Sequence, residues 1–320
     1  NSPDVIVVNT CTVTAEASKA SRKLIRRSIA DHPRSKIVVT GCYAVAEPAA
    51  IAAIPGVDLI VPNQDKERLA ARIVEEFSGG AVAVSVAPRV RANLKIHDGC
   101  DELCTFCIVP QTRGTLSSRT PDSVVAAARA MVEAGTREII LTGVHLGKYG
   151  WDRNDGGRLI DLIAELGGLP GLERIRLSSI EASQIGLPLL ETLATQPKAC
   201  RHLHIPLQTG DPALWQSMRR PGTLEHFLNI ARQAQEMLDD LTLTTDVMVG
   251  FPGEDDDAFA NTLEVVAAAG FRKLHVFRFS PRAGTPAAAD PRRVDGDTMR
   301  GRSEQLRRQG NRLRAQWLRD

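Results

Sequence analysis

Cys100-Asp101-Glu102-Leu103-Cys104-Thr105-Phe106-Cys107 carries three thiols in a C-x3-C-x2-C spacing, directly after the strand-like run Asn93-Leu94-Lys95-Ile96-His97. Three thiolates hold three irons of a four-iron, four-sulfur cluster and leave the fourth open to chemistry, whereas electron-transfer clusters commonly have four protein ligands. A structural zinc knuckle needs a second ligand pair, and none follows. A disulfide framework belongs to short secreted chains; here six cysteines are scattered over 320 residues, at 11, 42, 100, 104, 107 and 200. That usage reads as intracellular and reduced. Cys200, just before a strand pattern, reads as an ordinary half-buried thiol.

From Asn93 onward, strand and helix patterns alternate. Six strands are expected at Asn93 to His97, Glu138 to Thr142, Arg174 to Leu177, Leu203 to Ile205, Leu243 to Val249 and Lys273 to Phe277. Helices are expected between them, including Pro121 to Ala134, Arg158 to Leu166, Thr223 to Leu238 and Asp255 to Ala269. Six such units make a partial parallel (βα)6 barrel over residues 93–290, with its working residues at the carboxyl ends of the strands. The cysteine loop lies at such an end, as do Gly143 to Gly147, Ser178 to Glu181, Pro206 to Gly210 and Gly250 to Glu254.

Upstream, Val5-Ile6-Val7-Val8, Ile37-Val38-Val39 and Leu59-Ile60-Val61 read as buried parallel strands, with helices near Ala15 to Ala30, Glu47 to Ile54 and Asp65 to Phe77. Residues 1–80 are therefore expected to form a small doubly wound α/β domain. A strand-like connector is expected from Ala81 to Val90, within a linker over 81–92. Beyond Pro291 the chain reads as a basic amphipathic helix, with Met299, Leu306, Leu313 and Trp317 on one face. The fold class is α/β throughout.

Hydrophobic content of 43% and charged content of 24% are those of a globular protein. No apolar run approaches the roughly 18 residues that cross a bilayer, and no signal-like start is present, so a cytoplasmic location without a membrane partner is expected. A net charge of +2 is too small to argue for nucleic acid alone. The basic residues nevertheless cluster.

Cys11 and Cys42 each end a strand of the first domain, in Val8-Asn9-Thr10-Cys11 and Val39-Thr40-Gly41-Cys42. Neighbouring parallel strands bring their carboxyl ends together, so the two thiols can converge on one point, a metal site short of a ligand. Two unrelated buried cysteines is the alternative. The helix after Cys11 carries Lys19, Arg22, Lys23, Arg26 and Arg27 at i, i+3, i+4, i+7 and i+8, all on one face. Such a stripe is either a solvated face or a surface for an RNA backbone. Glu181 and Asp246 are strand carboxylates whose plain role is an ion pair, and His145, His202, His204 and His275 read as hydrogen-bonded histidines before metal ligands.

Asn9 to Thr14, Gly41-Cys42, Asp98 through Pro110, Arg113-Gly114, Leu141 to Gly147, His204 to Gln208 and Asp246 through Glu254 together resemble the radical S-adenosylmethionine (SAM) methylthiotransferases over nearly the whole chain. Thr142 to Gly147 and Ser178-Ser179-Ile180-Glu181 are most similar to the branch that acts on N6-threonylcarbamoyladenosine at position 37 of tRNA. The resemblance implies two 4Fe-4S clusters. Cys100, Cys104 and Cys107 would hold the one that cleaves SAM to a 5'-deoxyadenosyl radical, which takes hydrogen from C2 of the adenine. Cys11, Cys42 and a third cysteine would hold an auxiliary cluster that delivers the methylated sulfur.

In that reading SAM is met by Phe106, Gly143, Glu181, Gln208 and Val249, as barrel geometry places them, and RNA by the Lys19 to Arg27 stripe. Arg113 is expected to meet RNA or a cofactor's anionic group. The partners implied are tRNA and an electron donor such as flavodoxin or ferredoxin. The third auxiliary cysteine of the family lies upstream of Asn-Thr-Cys, and the chain starts ten residues before Cys11, so the auxiliary cluster is expected to lack a ligand here. The helix over 291–320 is likewise expected to lead to an RNA-binding barrel that lies outside the chain. Alternatives are a methylthiotransferase for isopentenyladenosine in tRNA or for a ribosomal-protein side chain, and a non-catalytic iron-sulfur or zinc RNA-binding module.

Overall fold

The computed structural model describes residues 3–77, 89–154 and 156–319. Two compact units emerge: one drawn from Asn1–Val86, Phe106–Gly114 and Ser280–Ala288, the other from Ala87–Thr105, Thr115–Phe279 and Ala289–Asp320. The strand expected over Ala81 to Val90 lies almost wholly outside the described residues.

In the first unit, β1 (Val5–Thr10), α1 (Ala15–Asp31), β2 (Lys36–Gly41), α2 (Cys42–Ala46), α3 (Pro48–Ala52), β3 (Leu59–Pro62) and α4 (Leu69–Phe77) follow in order. The strands pair in parallel as β1-β2-β3. The alternation of β2 feeds two faces. Ile37 and Val39 join Val8, Ile25, Tyr43 and Ile51 on one side, while Val38 joins Val61 and Ile73 on the other, so helices cover both faces of the sheet. Helix α1 starts where Thr14 accepts from the Ala17 N–H at 3.0 Å.

The second unit opens with β4 (Arg91–Lys95) and β5 (His97–Asp98). The segment after the cysteine loop carries α5 (Val109–Arg113), which belongs to the first unit and packs on α2. The order then runs β6 (Ser117–Ser118), α6 (Pro121–Glu133), β7 (Glu138–Thr142), α7 (Leu159–Gly167), β8 (Arg174–Leu177), α8 (Leu187–Thr195), β9 (His202–His204), α9 (Pro212–Ser217), α10 (Leu224–Met237), β10 (Thr242–Val249), α11 (Asp256–Ala268), β11 (Lys273–Arg278), α12 (Pro286–Ala289) and α13 (Gly296–Trp317).

Two parallel sheets, β4-β7-β8 and β9-β10-β11, meet through the bridges Ile175 to Ala199 and Ser179 to His204, which gives the six-stranded partial barrel. The outward faces of these strands, with Ile139, Leu141, Ile175, Leu177, Leu203, Leu243 and Val249, sink into one large core shared with α6, α7, α8, α10 and α11. The strands fall within two residues of expectation.

Helix α13 differs from its reading as a connecting segment. It packs on β11 and α11, with Leu306 fully buried, and Arg302 is buried as well. Arg302 donates to the Glu254 carboxylate at 2.7 Å and to Asp256 at 2.7 Å. A cation in an otherwise basic helix thus ties the loop after β10, which the count of exposed arginines does not reveal.

Candidate functional site

The first cysteine pair is set by strand register. Thr10 and Gly41 are partners in the β1–β2 ladder, so Cys11 and Cys42 each stand one residue past a paired position. Gly41 makes this possible. Its φ of 101° is open to glycine, and a Cβ there would lie 2.3 Å from the Thr10 carbonyl oxygen. The chain turns at once into α2, whose first residue is Cys42, buried; Cys11 is exposed. The backbone of Cys11 is held in place by Ser21, which accepts from its N–H at 3.1 Å and donates to its carbonyl at 3.0 Å.

Arg113 is placed differently from its expected RNA or cofactor contact. Its Nε donates to the Cys42 sulfur at 2.9 Å, since α5 lies against α2. A guanidinium there offsets the negative charge that a metal-bound thiolate carries. Within the basic stripe, Arg22 donates to the Tyr43 hydroxyl at 2.8 Å and stacks on its ring, and Arg27 pairs with Asp31 at 3.1 Å. Lys19, Lys23 and Arg26 are exposed on the same helix.

In the barrel unit, Cys100 and Cys104 lie half-buried on the loop after β5, and Cys107, also half-buried, lies in the segment grouped with the first unit. The loop is clamped by Lys148, which reaches Asp101 at 2.7 Å and Glu102 at 2.8 Å, and by His145, whose Nε2 is 3.1 Å from Glu102. The carboxyls of Asp101 and Glu102 are held below their ordinary range; burial opposes this, and the hydrogen bonds from Lys148 outweigh it.

Beside Cys104 stands Arg220, which the sequence reading missed. Its guanidinium, 3% exposed, grips Glu181 with two parallel bonds of 2.8 Å. Burial works against its charge, but Glu181 and then Cys104 outweigh burial and raise its pKa. Arg219-Arg220-Pro221 reads locally as a loop, so only the need of a strand-end carboxylate for a partner could have pointed to it. The donor set fits an iron-sulfur cluster: three thiols in a tripodal spacing, half-exposed, with a buried cation at one of them.

The remaining expected cofactor residues fall into two groups. Gln208 stands at the barrel mouth in a left-handed conformation, φ 68°, with its buried Oε1 lacking a hydrogen-bond partner. A positive φ and an unsatisfied side-chain acceptor at one residue make it a candidate to receive a ligand donor. His97, three residues before Cys100, is buried with both ring nitrogens lacking partners. Gly143 approaches His97: a Cβ there would lie 2.9 Å from the His97 Cβ, so its close approach is to protein. The side chain of Val249 is in the core, which closes it to a cofactor, and its carbonyl accepts from the Phe279 N–H at 2.8 Å, which leaves one lone pair. Phe106 is half-buried in the 106–114 segment.

His145, His202, His204 and His275 are hydrogen-bonded, as expected, and the last three gather around Thr244 and Asp246. His204 Nε2 and His275 Nδ1 lie 3.2 Å and 3.3 Å from Asp246 Oδ1. Burial pushes the Cys200 thiol up, which keeps it protonated and inert.

A partial barrel with three cysteines after its first strand is the architecture of the radical SAM superfamily, and residues 94–266 match that superfamily. Residues 1–62 match the uncharacterized protein family UPF0004. Among solved structures, the radical S-adenosylmethionine methyltransferase TsrM from Kitasatospora setae is similar with a TM-score of 0.67 at 17% identity, over 90% of this chain and 66% of that one, so the chain spans just under two thirds of its length. The threonylcarbamoyladenosine tRNA methylthiotransferase MtaB of Bacillus subtilis is 42% identical over 95% of this chain and 71% of its own. MtaB of Thermotoga maritima is 35% identical over 88% and 68%. The tRNA-2-methylthio-N(6)-dimethylallyladenosine synthase of Frankia casuarinae is 36% identical over 95% and 60%. The chain belongs to the radical SAM methylthiotransferase family.

Proposed function

We propose that this protein adds a methylthio group to C2 of N6-threonylcarbamoyladenosine at position 37 of tRNA. The observation that carries the reading is the pair of cysteine sites: a tripodal loop on a barrel, and two strand-end thiols held in register by Gly41. The names of the relatives give the reaction and the nucleoside. Cys100, Cys104 and Cys107 would hold a 4Fe-4S cluster, and Cys11 and Cys42 would contribute to an auxiliary one. When bound, the first cluster and SAM supply a carbon-centred radical able to take hydrogen from C2.

The chain's own residues position and shield. Lys148 and His145 fix the backbone of the cysteine loop through Asp101 and Glu102. Arg220 holds Glu181 beside Cys104, and Gln208 offers an unpaired acceptor at the barrel mouth. Arg113 compensates charge at Cys42. Among the described residues no helix is long and apolar enough to cross a membrane. A tRNA substrate would be met in the cytoplasm, with a flavodoxin- or ferredoxin-type donor as the second partner.

Anaerobic reconstitution with iron and sulfide, followed by nucleoside analysis of digested tRNA, tests this. The expected product is 2-methylthio-N6-threonylcarbamoyladenosine, with 5'-deoxyadenosine released. Wild-type protein that releases 5'-deoxyadenosine but modifies only isopentenyladenosine tRNA would move the assignment to the branch of the Frankia relative.

A further inference from the structure

The inner face of the barrel carries an excess of positive charge. Arg91, Glu138 and Arg174 begin β4, β7 and β8 and are register partners in a row across the sheet. Alternate residues of a strand share a face, so Arg176 and Ser178 follow Arg174 on the inner side, while Ile175 and Leu177 fill the outer core. Three guanidiniums share the one carboxylate of Glu138, each through Nε: Arg176 at 2.8 Å, Arg91 at 3.2 Å and Arg174 at 3.2 Å. Glu138 can neutralise one of them. From the facing sheet, Lys273 adds a further cation, and the carboxylate there, Asp246, is engaged by His204 and His275.

Arg91, Arg176, Asp246 and Lys273 border a cavity of about 370 Å³ that runs from Arg91 and Lys273, at the strand starts, to Ser178 and Ser179, at the end of β8. Its positive potential is felt by His202 on its wall, whose pKa falls to about 4, through burial first and Arg176 next. Two imidazoles and a carboxylate could in principle take a metal cation, but guanidiniums around the same cavity oppose a further positive charge. An anion is what the cavity lacks. Each arginine has N–H donors beyond the one on Glu138, in the planar fork that suits a carboxylate. The volume suits a modified nucleobase rather than a stretch of phosphate backbone.

We propose that this cavity is the specificity pocket for the carboxylate of the N6-threonylcarbamoyl group, read by Arg176 and Lys273; the assignment rests on the substrate reading above. The adenine enters from the strand carboxyl ends, and its N6 substituent extends inward to the cationic row. An uncharged N6 substituent, such as dimethylallyl, leaves the half-buried Arg176 guanidinium without an anionic partner beyond the shared Glu138, which disfavours it relative to the acid.

The test is calorimetric titration of the 320-residue chain with N6-threonylcarbamoyladenosine and with its methyl ester, which removes the charge and keeps the shape. The wild type is expected to bind the acid about tenfold or more tightly than the ester, the worth of a charge-assisted hydrogen bond. Arg176→Gln and Lys273→Gln should erase that preference, the acid losing more affinity than the ester; Lys273 is exposed, so its variant folds. Equal affinity of the wild type for acid and ester overturns the proposal, as does a preference that survives in both variants. Methylthiolation of tRNA is scored separately. Protein that modifies threonylcarbamoyladenosine tRNA yet binds acid and ester alike keeps the function and loses the pocket, and the reverse pattern keeps the pocket and loses the function.

Discussion

The two cysteine sites reach their geometry by opposite routes. The thiols at 100, 104 and 107 are neighbours in sequence, half-exposed, on a loop that side chains clamp at its start: Lys148 and His145 on Asp101 and Glu102. In the first unit Cys11 and Cys42 are far apart in sequence; the β1–β2 ladder with one glycine supplies their register, and Ser21 anchors the Cys11 backbone. A loop can be adjusted by its clamps; a strand register moves as a piece. The loop suits a cluster that must admit a ligand, and the sheet edge suits one that must stay put.

The largest expected effect separates the sites. Cys104→Ala should abolish 5'-deoxyadenosine release, while Cys42→Ala should keep that release within severalfold and abolish methylthio transfer. Thermal melts should show both variants folded, because neither thiol is part of a disulfide. Loss of 5'-deoxyadenosine release in Cys42→Ala would break the comparison, since the sites would then act as one.

Next comes the ion pair beside Cys104. Arg220→Met leaves Glu181 without its bidentate partner in a nearly buried place, at a cost of about 3–5 kcal/mol. Urea unfolding measures it. A loss below about 1 kcal/mol would class the pair with surface salt bridges and remove the argument that it is a built element of the site.

Gly41→Ala tests the register route. Its positive φ and its clash with the Thr10 carbonyl should together cost about 1–3 kcal/mol. Gly114, φ 75°, has open space around its absent Cβ, so Gly114→Ala reports backbone strain alone. The excess of the first loss over the second measures the close approach of β1 and β2, and iron content should fall only in Gly41→Ala. Equal losses would mean that the strand ends are free to part.

What could be read beforehand follows the same division. The tripodal cysteine spacing, the alternating strands and the helix periods are local, and they placed six barrel strands within two residues. Arg220, Lys148, Arg302 and the role of Arg113 are tertiary. Each is a cation whose partner comes from a distant segment, and a lone Arg in a loop or a basic helix carries no local sign of it. The side chain of Val249 has a simpler reading: a two-residue period decides which face a strand residue takes, and Val249 falls in the set with Leu243 and Val247, on the core side. Gln208 was placed correctly at the barrel mouth, but its φ of 68° is a property of backbone pairing with Asp246 and Met248 that composition does not show.

The smallest effects concern two carboxylates that hold strand starts, one in each unit. Asp58 accepts from Lys36 at 2.8 Å and from the Ile37 N–H at 2.8 Å, and Glu138 accepts from three guanidiniums. Both are held below the ordinary carboxyl range: burial opposes this in each, and the bonds from Lys36, or from Arg176 and its neighbours, outweigh it. The sign follows from that direction. A depressed pKa means stability present above the unfolded value, about 4, and lost as pH falls through the folded value. Glu138→Gln should cost about 1–3 kcal/mol at pH 7, since it also leaves cations facing one another, and Asp58→Asn, with a quarter of its side chain exposed, about 1 kcal/mol or less. Each deficit should shrink as urea unfolding is repeated below pH 4, because the wild type then loses the same charge. If Asp58→Asn proves the more costly, the cationic row in the barrel is already relaxed by solvent, and the need for an anionic ligand there weakens with it.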